Sequence, residues 1–320
     1  MLRGRGLLAR VLVCAALGVM SILSWGQSAY PTRPIRIVAP EVGGGSDFLA
    51  RTLATALSAS VGKTVVVDNR GFSAGEIVAR SQPDGYTLLL FGSPLWLSQF
   101  LRQNVPFDPV KDFAPIAVIA TTPNVLVVHP SVKAATVSDL VAAAKAAPGQ
   151  LNYASGSSGS TQHLARELFN VMAGTHIVRV PYRGSGPALN AVIAGEAQVM
   201  FPSAGAAAPH IKSGRIRALA VTSPEASILL PGLPTVSASG IPGYESTSPF
   251  GLFAPANTPR ALIERLNREV LLVLKGTEIR ERLLHAGVEP VGSPPNVLAA
   301  TVSSEMKKWG ALIAKLRLRE

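Results

Sequence analysis

From residue 35 onward the chain alternates short apolar, β-branched runs with stretches whose hydrophobic side chains recur every three or four positions. The runs predict strands at 35–39, 64–68, 87–91, 116–120, 125–129, 151–154, 177–181, 198–201, 216–222 and 250–254. The periodic stretches predict helices at 47–59, 74–81, 137–147, 161–173, 187–194 and 204–213. Strands separated by single helices imply an α/β protein with largely parallel sheets. Past residue 258 the pattern turns helical, at 259–275, 277–286 and 294–316, with a short strand possible at 288–291. Pro259 and Pro295 suit first-turn positions there, and Gly276 and Gly287 suit helix ends.

One local pattern recurs: a strand, a glycine- or serine-rich loop, then a helix. It occurs at 41–47 (EVGGGSD), at 155–161 (SGSSGST) and at 183–187 (RGSGP). In an open α/β sheet such loops stand at the carboxyl ends of strands, where ligands bind. The helix that follows offers unpaired N–H groups and a partial positive charge, which attract carboxylate or phosphate. Ser160 or Thr161 can cap the helix run at 161–173, and His163 falls in its first turn.

The beginning of the chain has a different character. Arg3, Arg5 and Arg10 precede an uncharged apolar run from Val11 to Trp25, followed by Gly26-Gln27-Ser28-Ala29. This is the pattern of a secretory signal peptide over 1–29, cleaved between Gly26 and Tyr30, leading to the periplasm. With those three arginines removed from 30 basic residues, 27 face 19 acids, a net charge of +8. The basic residues form no run or stripe, so nucleic acid is not the expected partner. Cys14 is the single cysteine and leaves with the leader, so neither a disulfide framework nor a catalytic thiolate is expected.

The signatures of common chemistries are absent. The first loop lacks the last glycine of GxGxxG, no GxxxxGK[ST] occurs, and Gly156-Ser157-Ser158-Gly159-Ser160 ends in serine where a nucleophile elbow needs glycine. The histidines at 129, 163, 176, 210 and 285 are not spaced as metal ligands, and no HExxH occurs. No metal or cofactor is expected. The composition favours binding over catalysis, with His163 the histidine best placed for a functional role.

The segments YPTRPIRIVAP, GGGSDFLAR, VVVDNR, PDGYTLLL, YASGSSGSTQHLARELF, VPYRGSGPALNAVIAGEAQVMF, IKSGRIRALAVTS, LPTVSASGIPGYE and FGLFAPANTP follow one another from Tyr30 onward. Together they closely resemble the Bug family of extracytoplasmic solute receptors, the substrate-binding proteins of tripartite tricarboxylate transporters. The resemblance implies a type II-like periplasmic binding protein fold, two α/β domains with a ligand cleft between them. It implies a non-enzymatic, monomeric receptor for a small organic anion: a di- or tricarboxylate, an acidic amino acid or an aromatic acid. Its partners would be membrane transporter subunits or a sensor. In such receptors the carboxylate is held by backbone amides, hydroxyls and waters rather than by an arginine clamp.

Carried onto this chain, the first binding loop is Val42, Gly43, Gly44, Gly45, Ser46 and Asp47. The second comprises Ser155, Gly156, Ser157, Gly159, Ser160, Thr161 and His163. Phe91, Gly92 and Ser93 would line the first domain, and Tyr182, Arg183, Gly184, Phe201, Pro202 and Ser203 the second. Domain one would span 30–130 and 250–320, domain two 131–249, with hinges at Pro130-Ser131 and Ser246–Pro249. Departures from the family pattern are Glu41-Val42 before the glycines, Gly71-Phe72-Ser73 after Asn69-Arg70, and Pro202 where an acid is common. Pro202, with Phe72 and Trp96 nearby in sequence, points to a less polar acid. Asp47 either turns back onto its own backbone or, as the favoured expectation, accepts a hydrogen bond from the ligand. Two alternatives stay open: an orphan signalling receptor, and a hydrolase or lyase using Ser155 or His163.

Overall fold

The structure, a computed structural model, describes residues 30–156 and 160–318. The expected leader at 1–29 therefore lies outside the described residues, as do Ser157 and Gly159.

The period-2 alternation of the strands settles two sheets, each covered on both faces. In the first, β1 (Ile35–Ala39) pairs in parallel with β2 (Val65–Asn69) and β3 (Thr87–Gly92). Beside β3 come β10 (Thr247–Pro255), β4 (Phe113–Pro123) and the edge strand β11 (Glu289–Pro290), all antiparallel to their neighbours. Along β1, Ile35, Ile37 and Ala39 face one core, whereas Val38 faces the other. The first core is covered by α1 (Gly45–Val61) and α8 (Arg260–Leu274), and α9 (Thr277–His285) adds Ile279 and Leu283 to it. The opposite core is covered by α2 (Ser73–Ala79), α3 (Pro94–Leu101) and α10 (Pro295–Leu316).

The second sheet has the order β7-β6-β8-β5-β9. Its strands are β5 (Val125–Val128), β6 (Asn152–Ser155), β7 (Val178–Pro181), β8 (Val199–Met200) and β9 (Arg217–Val221). Leu126 and Val128 point to one core and Val125 and Val127 to the other. The helices of this lobe are α4 (Val137–Ala146), α5 (Thr161–Ala173), α6 (Ser185–Ile193) and α7 (Ala204–Lys212).

Two sequence expectations change. Parallel pairing holds for β1 with β2 and β3, and for β6 with β7 and β8, but each sheet is mixed. The strands adjoining the crossings, β4, β5 and β10, make the antiparallel pairs. The sequence pattern also misses α3. Leu95, Trp96, Leu97 and Ser98 are all buried, so the helix shows no polar face and hence no amphipathic period. Only Ser93-Pro94 marks its start.

The chain changes sheet at Asn124, ahead of the Pro130-Ser131 expected from sequence, and returns at Ser246. These crossing points are laced together. The Asn124 amide donates to Thr222 Oγ1 at 2.9 Å, that hydroxyl donates to the Ser246 carbonyl, and the Ser246 amide donates to the Thr222 carbonyl. All three residues are buried. The lobes also touch away from the crossings, where Leu164 of α5 is buried in the same core as Trp96, Leu298 and Trp309.

Candidate functional site

A cavity of about 410 Å³ opens where both lobes and the returning strand meet. One end is the start of α1, with Glu41, Gly44, Gly45 and Ser46. The end of β3 and start of α3 supply Phe91, Gly92, Ser93 and Pro94. Phe72 and Arg102 form a side wall, β10 contributes Ser248 and Phe250, and Thr161 reaches in from the second lobe.

The amides of Gly45, Ser46 and Asp47 open α1 and have no acceptor within the helix, so they leave partial positive charge at the cavity. The glycine at 45 has a further reason. A Cβ there would stand 3.0 Å from Phe250 Cζ, and one at Gly92 would stand 3.2 Å from the same ring. Two glycines therefore seat the Phe250 ring between the two loops as a floor. Ser93 is the second polar feature. It is 2% exposed, makes no side-chain cap bond, and its Oγ has no partner among the described residues. An unpaired buried hydroxyl costs roughly 1–3 kcal/mol, and this one lines the cavity beside the α1 amides.

Asp47 adopts the first of its two expected roles. Its carboxylate accepts from the Gly43 amide at 2.9 Å and from Asn69 Nδ2 at 3.0 Å, and pairs with Arg51 Nε at 2.8 Å. Burial alone would raise this carboxyl, but the Gly43 amide, Arg51 and Asn69 outweigh it and hold it below the usual carboxylate range. The expectation that Asp47 faces the ligand gives way to a fastening role, because its oxygens are already engaged. The Gly43 amide is turned to the same carboxylate and not to the cavity, and Val42 is exposed.

The second loop is built differently. Ser155 Oγ accepts from Arg179 Nε at 2.8 Å, and the Gly156 carbonyl accepts from Arg179 Nη2 at 2.9 Å. Ser160 caps α5 by accepting the His163 amide at 3.3 Å. The His163 ring is buried among Glu167, Arg166 and Arg179 and does not line the cavity. Burial, reinforced by Arg179 and Arg166 against the pull of Glu167, pushes its pKa down to about 4, so it is neutral at ordinary pH.

Among the sequence-expected residues, Gly44, Gly45, Ser46, Phe91, Gly92, Ser93 and Thr161 thus line one cavity. Others fall elsewhere. Phe201 is 1% exposed and packs edge-on to Phe169 in the second lobe's core, because the alternation of its strand sends it inward. The Pro202 carbonyl accepts the Val125 amide, and Ser203 bridges to Asn124, which places both at the crossing. Tyr182 packs beside the core of the second lobe, and Gly184 (φ 112°) stands at the start of α6. Trp96 is wholly buried against Phe253 and is no wall of the cavity. Sequence reading missed Arg102, Ser248 and Phe250 as lining residues. Only the Ser-Pro start of α3 could have pointed towards Arg102, at that helix's far end.

A larger cavity, about 590 Å³, lies behind the crossings and carries Glu225, Glu245, Glu289 and Glu305 on its walls. That charge suits no anion. Among the described residues no cluster of His, Cys, Asp and Glu is placed to hold a metal ion, and no helix is long and apolar enough to cross a membrane.

Two mixed α/β lobes, crossed by laced strands and with a cavity lined by strand-to-helix loops, have the architecture of periplasmic solute-binding proteins. Residues 49–318 match the sequence model described as "Tripartite tricarboxylate transporter family receptor", and the chain belongs to that family. It is 38% identical to the "UPF0065 protein in tcbD-tcbE intergenic region" of Pseudomonas sp. (strain P51), over 97% of this chain and 94% of that one. Among solved structures it resembles R. palustris Rpa4515 with adipate, with a TM-score of 0.72 and 36% identity, covering 89% of this chain and 97% of that one. The periplasmic binding protein BugD is similar at a TM-score of 0.70 and 29% identity, over 91% and 99% of the respective chains.

Proposed function

We propose that this protein is a secreted, monomeric receptor that captures a small carboxylate between its lobes and delivers it to the membrane subunits of a tripartite tricarboxylate-type transporter. Secretion would follow from the leader at 1–29, and the lobes would divide at Asn124 and Ser246. The observation that carries the reading is the unpaired, buried Ser93 hydroxyl facing the same cavity as the free α1 amides. Such a pair lacks only an anionic acceptor. Thr161, arriving from the opposite lobe, adds a hydroxyl from the far wall as the lobes close. The relative Rpa4515, with adipate, supports a carboxylate as the class of ligand.

The hydrolase alternative has less support. Ser155 Oγ is held by Arg179, a cation that offers no base, and His163 is buried away from the cavity. Ser93→Ala tests the receptor reading. Removing an unsatisfied hydroxyl should leave the melting temperature of the free protein unchanged or raised, while adipate binding by calorimetry weakens about tenfold. Turnover of a carboxylate ester, or failure of every small acid to bind or co-purify in native mass spectrometry, would overturn it.

A further inference from the structure

Arg102 stands just past the end of α3, on the wall of the same cavity. Its guanidinium carbon lies 4.1 Å above the centre of the Phe72 ring. Among the described residues it makes no ion pair, although Glu41 lines the same cavity. Phe72 is itself fixed, edge-on to Phe91 at 6.4 Å and tilted against Phe107 at 5.5 Å. A guanidinium laid on a held ring loses little further freedom when it binds, and its N–H edge still fits a carboxylate. Besides this cation and the α1 amides the cavity is lined by Phe72, Phe91 and Phe250, three aromatic surfaces with no charge.

Building on the receptor reading, we infer that Arg102 on the Phe72 ring is a specificity-determining residue that reads the distal end of the ligand. The ligand is therefore a two-ended acid with an apolar middle. One carboxylate meets Ser93 and the start of α1, the hydrocarbon or ring lies along the aromatic wall, and the second carboxylate meets Arg102. This differs from a pocket that relies on backbone amides, hydroxyls and waters alone, since one end is read by a side-chain cation. Glu41 lines the same cavity with its carboxylate near Gly71, and disfavours additional negative charge on the ligand.

The test is calorimetric titration of the wild-type protein and of Arg102→Gln with two series of probes. One series is the straight-chain diacids from succinate to suberate, and the other the monoacids of the same chain lengths. The wild type should bind at least one diacid roughly tenfold to a hundredfold more tightly than its monoacid, the range of one charge-assisted contact. Arg102→Gln should abolish that preference by weakening the diacids far more than the monoacids, and Arg102→Lys should restore only part of it. Equal wild-type affinity for both series, or an equal loss of both in Arg102→Gln, would overturn the role of Arg102 yet leave the receptor reading standing. Binding of neither series would overturn both.

Discussion

The loops at 41–47 and 155–161 look alike in sequence, each a glycine- and serine-rich turn between a strand and a helix, but the structure uses them differently. The first is fastened from behind by an acid. Asp47 ties Gly43, Arg51 and Asn69 together, which leaves the α1 amides facing the cavity. The second is fastened by a base, since Arg179 holds both Ser155 and Gly156, and Ser160 caps its own helix. Only Thr161 of that loop's described residues reaches the cavity. Composition sets what a loop can offer, and the counter-charge packed behind it decides which groups remain on offer.

Four substitutions sharpen that contrast. The largest effect is expected from Asp47→Ala, which removes the buried carboxylate that the Gly43 amide and Asn69 donate to and frees Arg51. Denaturant unfolding should show a loss of about 3 kcal/mol. Unchanged stability with weakened binding would return Asp47 to a ligand-facing role. Because the folded carboxyl titrates below its unfolded value of 3.8, its contribution is present at neutral pH and is lost as the pH falls through the lowered folded value.

Gly156→Ala should come next. A Cβ there would stand 3.1 Å from the Gly184 backbone carbon and 3.2 Å from the Ser185 amide nitrogen, where main chain cannot swing aside as a side chain can. The expected cost is about 2 kcal/mol. The matching change in the first loop, Gly45→Ala, meets only the Phe250 ring and should cost less stability while narrowing the cavity.

The smallest effect at neutral pH belongs to His163, whose contribution shows only on acidification. Its folded pKa of about 4 lies below the ordinary histidine value of 6.5, so between those values the unfolded chain binds the extra proton. Stability should therefore be whole above pH 6.5 and fall on acidification towards pH 4, by at most about 1.4 kcal/mol per pH unit. His163→Gln should flatten that limb in melting curves taken across the window. An unaltered slope would place the titration elsewhere.

Much of the fold is legible along the chain because its signals are local. The alternation in β1, the Ser160 cap and the Gly276 and Gly287 helix boundaries concern residues within a few positions of one another. Where every side was buried, as in α3, the periodic signal vanished and the helix went unread. The crossing at Asn124 was also hidden, since its marks are hydrogen bonds to Thr222 and Ser246. The site divides in the same way. Loop positions such as Gly45 and Ser93 could be named from sequence, but the facing of Asp47 depends on Asn69, and that of Phe201 on the core packed against it.

The sequence by itself therefore determined most of the elements, some of their caps and the family, all of which rest on spacing and composition. Only the tertiary structure decided which groups share the cavity. Phe250 fills the room left by Gly45 and Gly92, and Arg102 lies on Phe72. Those pairs are far apart along the chain and carry no mutual periodicity. Their contact is a product of sheet order and lobe packing, which no local pattern encodes.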